Sequence, residues 1–311
     1  MVFTDTLTPV AEGLIRFSSF VGHAILFGCI PIALLVLRPV FVSLPDEEWG
    51  RGRARVARRI DGLIVAMLVV TVASAVIGIL LKAILIADLT RADLGSDSFE
   101  SVLSTSFGRW FAVRIPLAIA LGIVLVGRVR KSLFAPKVSA LWWGSWAALS
   151  LALLASTSFA GHAAVAQPRA LALLTDVVHL ASGATWFTGI VFLAIVVPDA
   201  WISKEPVARL SVLTPAVLRF SQVALISIAI VAITGTINSL FHVGRLADMT
   251  GTTYGQTLTA KIVLFVVILA LGAVNHFFLR RRFERVLEAN EPSGAHKTFR
   301  KTIAIVFLKV L

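Results

Sequence analysis

The stretch Asp176-Val-Val-His-Leu-Ala-Ser-Gly-Ala-Thr-Trp-Phe-Thr-Gly189 opens an apolar run that continues to Pro198. Asp176, His179, Gly183 and Trp186 follow one another at spacings of three, four and three. On a helix those positions share one face. The run from Leu171 to Val197 is long enough to cross a bilayer core, which takes about 20 apolar residues. An acid and an imidazole inside such a span are costly and mark a site that uses them. The remaining chain reads as a membrane scaffold around this face and around a weaker copy of it near His23.

Composition agrees. The chain has 311 residues, 58% hydrophobic and 15% charged, with mean hydropathy +0.90, whereas soluble proteins carry about 25% charged residues. The ten-residue alternating segments of a membrane barrel do not occur. The expected fold is an all-α, polytopic transmembrane helical bundle. The net charge of +12 and pI near 11.0 come from basic blocks in loops without interleaved aromatics. That pattern fits the positive-inside rule and argues against nucleic-acid binding. The single cysteine, Cys29, lies within a span, so it reads as a core thiol with no disulfide and no Cys-rich metal site. The N-terminus lacks the basic region of a signal peptide, and the first apolar run is expected to be a retained span. No G-x-x-x-x-G-K-[ST] motif and no soluble catalytic domain occur, so ATP-driven transport by this chain and enzymatic activity are not expected.

In chain order the expected spans are residues 12–37, 60–87, 107–126, 138–159, 171–197, 216–240 and 254–279. Residues 302–311 are apolar but too short to cross a core about 30 Å thick. They read as the start of an eighth, incomplete span. The loops after spans one, three, five and seven are basic, and the loop after span two is acidic. The basic loops are therefore expected in the cytoplasm and the N-terminus outside. His162 and His242 then lie at the outer surface, with His23 and His179 roughly 12 to 17 Å below it.

The chain also echoes itself. Thr105-Ser-Phe-Gly108 precedes Arg114 as Thr252-Thr-Tyr-Gly255 precedes Lys261. Ala75-Val-Ile-Gly78 matches Ala232-Ile-Thr-Gly235, and His23 matches His179. Two parallel four-span repeats are expected, residues 1–160 and 161–311, an arrangement that recurs in transporters with sites near the repeat interface.

At these residues the chain resembles the copper resistance protein D (CopD/PcoD) family of inner-membrane copper-handling proteins. The motifs are D-x-x-H-L-x-x-x-x-x-W at Asp176 to Trp186, R-F-S at Arg219 to Ser221, T-G-x-x-N at Thr234 to Asn238, and T-x-Y-G-x-x-L-x-x-K at Thr252 to Lys261. Asn275-His276 stands where the family often has N-R. The likeness is closest over residues 161–311 and looser before. Trp186-Phe-Thr-Gly189 offers one glycine where the family usually has W-x-G-G, and the glutamate frequent in the family's last span is not found near Ile305.

The resemblance implies copper transport or homeostasis, a histidine-lined path from the outer face, and a periplasmic copper carrier of the CopC type as partner. On that reading the metal-handling residues are His179, His23, His162 and His242. Asp176 would orient His179 through its second nitrogen, and Met249 would add a thioether. Arg114 and Lys261, about two turns inside the membrane, are expected to snorkel outward or to pair with an acid such as Asp176. His276 and His296 read as interfacial and solvated residues. Two alternatives stay open. His23 and His179 at similar depth would also suit a b-type haem, and the chain could be a non-transporting accessory subunit.

Overall fold

A computed structural model describes residues 2–42, 44, 46–90, 93–128, 139–200, 206–241 and 248–288. Every regular element among them is helical. Helix α1 (Val2–Ile32) runs through a π-helical turn (Ala33–Leu37) into α2 (Arg38–Val42). Pro31 explains the turn: it has no N–H to give the preceding turn, and the ladder resets with the wider pattern in which Arg38 N–H reaches the Ala33 carbonyl. Next come α3 (Asp46–Thr90), the short α4 (Ser96–Ser104), α5 (Ser106–Arg128) and α6 (Ala140–Phe159). A 3₁₀ turn (His162–Ala164) leads to α7 (Arg169–Ala200), followed by α8 (Pro206–Leu240), α9 (Asp248–Gly251) and α10 (Thr253–Glu288).

Six of these helical stretches are long and apolar enough to cross a membrane: Pro9–Val42, Gly50–Thr90, Ser106–Gly127, Ala140–Phe159, Arg169–Ile195 and Val212–Leu240. Within α10, Gly255–Ala270 forms a shorter apolar stretch at the expected seventh span. Residues 302–311, the expected eighth, lie outside the described residues. Large apolar side chains such as Val69, Ile123, Val126, Leu225 and Ile226 are exposed around the bundle, as a lipid-facing surface requires. The protein is an all-α polytopic membrane bundle.

The pairs α1–α3 and α7–α8 run antiparallel, which the cross-helix pairings show directly. Lys82 near the end of α3 meets Glu12 near the start of α1, and Gly189 on α7 faces Phe220 early in α8 while Thr175 bonds Asn238 late in α8. Helix α1 is central and packs on α3, α6 and α7. Lipid tails are as apolar as leucine, so helix association in a membrane relies on close packing and interhelical hydrogen bonds. The crossing of α1 and α7 is built this way. A Cβ on Gly28 would stand 2.5 Å from the Ala184 carbonyl oxygen and would also collide with the Thr188 hydroxyl. Thr188 Oγ1 donates to the Ala24 carbonyl at 2.9 Å. The apolar core is concentrated toward the end that carries the basic loops. There Trp146 is fully buried and donates to the Leu26 carbonyl at 2.9 Å, and Arg38 lies over the Trp143 ring.

The two echoed T-x-x-G motifs build the same local structure. A short helix, α4 or α9, ends just before a threonine. Thr105 Oγ1 accepts from Gly108 N–H at 3.0 Å, and Thr252 Oγ1 accepts from Gly255 N–H at 3.0 Å. Each threonine thus caps one of the orphan N–H groups at the start of its long helix.

Candidate functional site

Two buried polar clusters lie inside the bundle, one in each half. The cluster of the second half forms between α7 and α8. His179 is half-buried, and its Nδ1 lies 3.0 Å from Thr234 Oγ1. Thr234 donates its hydroxyl proton to the Ile230 carbonyl at 2.6 Å, a common bond for a threonine within a helix. With that proton committed, we read Nδ1–H of His179 as the donor to Thr234, with the Val231 carbonyl a further hydrogen-bond partner of the ring, which leaves the lone pair on Nε2. Gly235 eases this approach, because a Cβ there would stand 3.1 Å from the imidazole Cε1, a tight contact. The same face extends toward the helix ends through Asp176 and Thr175. Asn238 donates from Nδ2 to Asp176 Oδ1 at 3.3 Å, and Thr175 Oγ1 lies 2.7 Å from Asn238 Oδ1.

The hydrogen bonds differ from the expected Asp176–His179 pair. Asp176 is not the hydrogen-bond partner that orients His179. That partner is Thr234, and the carboxylate is engaged by Asn238. The reason is one of direction. A residue three positions back on the same helix lies above the ring, while α8 presents Thr234 directly across the interface, in the space Gly235 leaves open.

The cluster of the first half lies between α1, α5 and α6. His23 is 0% exposed, and its Nδ1 lies 3.1 Å from Thr157 Oγ1. Its Nε2 is buried with no hydrogen-bond partner among the described residues. One turn away on the same seam, Arg114 is 3% exposed. Its Nε donates to Ser156 Oγ at 2.9 Å and its Nη1 to Ser19 Oγ at 3.2 Å, with the Phe111 ring centroid 4.1 Å from its Cζ. Arg114 therefore neither snorkels nor pairs with Asp176. Two serines and a ring face hold it inside the bundle, where neighbouring helices supply acceptors that the headgroup region would otherwise provide. Lys261, its match in the sequence echo, is exposed on α10.

Among the described residues the other expected side chains are not gathered into one centre. His162 lies in the 3₁₀ turn between α6 and α7, and Met249 lies in α9, where its carbonyl accepts from Thr259 Oγ1 at 3.1 Å. His242 and His296 lie outside the described residues, and His276 falls in α10. Cys29 Sγ donates to the Leu26 carbonyl within its own helix at 3.2 Å. No group of three or more His, Cys, Asp or Glu side chains suited to holding a metal ion occurs among the described residues. What stands out instead is a pair of histidine–threonine contacts. Thr157 and Thr234 were not singled out as imidazole partners from sequence. Their only advance signals are the polar run Ser156-Thr157-Ser158 in an apolar span and the spacing of four between Thr234 and Asn238.

Comparison with known proteins bears on both clusters. Residues 7–169, more than half of the chain, match the family pattern described as Copper resistance protein D-like, N-terminal domain. The chain belongs to the copper resistance protein D family. A second pattern of the family, Copper resistance protein D, covers residues 214–311. Among curated relatives, the chain is 26% identical over 262 residues to Copper resistance protein D of Pseudomonas syringae pv. tomato, covering 81% of this chain and 82% of that protein. It is 31% identical over 186 residues to Copper transport protein CutJ of Bacillus subtilis strain 168. That match covers 60% of this chain and 33% of the relative, so it spans about a third of the longer protein. No solved structure matches the chain. The first matched range spans His23, Arg114 and Thr157 and the second spans Thr234 and Asn238, while Asp176 and His179 lie between the two ranges.

Proposed function

We propose that this protein handles copper ions within the cytoplasmic membrane, with His179 as the central ligand. The observation that carries the reading is the tautomer of His179. Thr234 takes its Nδ1–H, so Nε2 presents a lone pair, the form in which imidazole binds copper. A hydrogen-bonded second nitrogen is the usual arrangement for a metal-binding histidine. Asp176 one turn away adds negative charge that favours a cation, whereas His23 sits beside the Arg114 guanidinium. The names of the relatives, copper resistance and copper transport, point to the same cargo.

Copper would approach from the outer face past His162, His242 and Met249, delivered by a periplasmic carrier of the CopC type. The outer face is taken as the end opposite the basic loops, which places the N-terminus outside. The chain moves or holds the ion and does no covalent chemistry.

The test is copper binding and copper movement by purified protein in sealed vesicles, with the visible spectrum recorded on the same sample. His179→Ala should lower copper affinity by more than about 100-fold, beyond the roughly 10- to 100-fold loss typical of removing a ligand's supporting partner. His296→Ala should match the parent and serves as control. A folded His179→Ala protein that binds and moves copper like the parent would rule out the site and favour a structural histidine in an accessory subunit. A Soret band would favour haem.

A further inference from the structure

The first-half cluster has a different chemistry from the second. Arg114 is almost wholly buried, and its hydrogen-bond partners are Ser156 Oγ, Ser19 Oγ and, from Nη2 at 3.5 Å, the Ser156 carbonyl. No carboxylate is among them. A guanidinium has five N–H donors, and these three bonds leave two uncommitted. A charge in a low-dielectric interior is costly when only neutral dipoles surround it.

Two more donors lie on the same seam. Thr157 makes no hydrogen bond among the described residues other than the one to His23. Its hydroxyl proton is therefore available to His23 Nδ1, which puts the ring proton on the unpartnered Nε2. This tautomer leaves one group unsatisfied. The opposite one would strand both the threonine proton and the Nε2 lone pair. Ser19 accepts from Arg114 and makes no other bond among the described residues, so its own proton is free as well. The cluster is rich in donors and has no acid.

A shallow cleft of about 10 Å³, room for one water, lies between α1, α3 and α5 and includes Glu12, Arg16, Lys82 and Phe107. Glu12 pairs with both Arg16 and Lys82, which leaves two cations against one acid. Arg16 is three residues from Ser19 on α1.

We propose that Arg114 and His23, with Ser19, form a binding site for a small monovalent anion of the halide class. The donors suit an acceptor without protons. Near-complete burial selects a small ion, and a single guanidinium balances a single negative charge. This site is independent of the copper site proposed at His179, because it uses other residues and needs no metal.

The experiment is thermal unfolding of the purified, chelator-treated protein in chloride against gluconate at constant ionic strength. Chloride should stabilise the parent in a saturable way, as any ligand of the native state does. Arg114→Gln should raise the half-saturating chloride concentration by about tenfold or more, because it removes the one charge-assisted donor group of the site. His23→Gln should give a smaller shift in the same direction. Equal unfolding curves for the parent in the two salts would overturn the proposal, as would parent-like half-saturation in both variants. If Arg114→Gln does not fold, chloride NMR on the parent and on His23→Gln decides. Broadening of the parent signal that excess iodide reverses, and that His23→Gln reduces, supports the site. No broadening, or equal broadening in both proteins, sinks it.

Discussion

The two histidine–threonine pairs look alike and are chemically opposed. In each half an imidazole Nδ1 lies about one hydrogen bond from a threonine hydroxyl on another helix, at 3.1 Å for His23 and 3.0 Å for His179. In the second half the threonine has already given its proton to its own helix, the free imidazole nitrogen is a lone pair, and a carboxylate lies a turn away. In the first half the threonine has no other acceptor, and the nearest charge is a buried guanidinium. The same residue pair therefore suits a cation in one half and an anion in the other. Which proton goes where is settled by a threonine's second hydrogen bond, a detail outside the histidine's own surroundings.

The largest effect should come from parting the halves where they meet. Gly28→Leu would drive a side chain into the Ala184 carbonyl and Thr188 at the α1–α7 crossing. Overpacking of this kind costs about 3 kcal/mol, and here the obstacle includes backbone. Size-exclusion profiles and thermal unfolding in detergent should show a strongly destabilised or aggregated protein. A Gly28→Leu variant as stable as the parent would mean that the crossing does not hold the halves together.

A smaller effect separates the two pairs directly. Thr234→Val removes the group that fixes the His179 tautomer, and copper affinity should fall roughly 10- to 100-fold, as for loss of a metal ligand's supporting partner. Thr157→Val should leave copper affinity unchanged. Isothermal titration of both variants measures the contrast, and equal losses would show that both histidines serve one copper site.

The smallest effect concerns the echoed caps. Thr105→Ala and Thr252→Ala each remove a side-chain acceptor at a helix start and should each cost about 1 kcal/mol. Unfolding midpoints test this, and a loss at only one of the two would limit the likeness of the halves to sequence.

Much of the architecture was legible from residue order alone. A membrane leaves the backbone few options, so apolar runs of span length read as helices, and six of them stand as such. The T-x-x-G motifs at Thr105 and Thr252 were visible as an echo, and capping is local chemistry within four residues. The motif around Asp176 and His179 also marked a face of α7 that meets α8, because helical periodicity places those residues together.

Partners across helices were not legible. Periodicity says which residues share a face and nothing about what lies opposite. Asp176 was the natural partner for His179 on one helix, yet Thr234 holds the ring because Gly235 lets α8 approach. Arg114 was expected at a headgroup or an acid, yet Ser19 and Ser156 from two other helices meet it in the interior. Sequence determined that this chain is a helical membrane protein with imidazoles in its spans. Only the packing of α1 on α6 and of α7 on α8 decided which atoms those imidazoles face. A hydrogen bond acts over about 3 Å, and the residues concerned are 134 positions apart for His23 and Thr157 and 55 for His179 and Thr234.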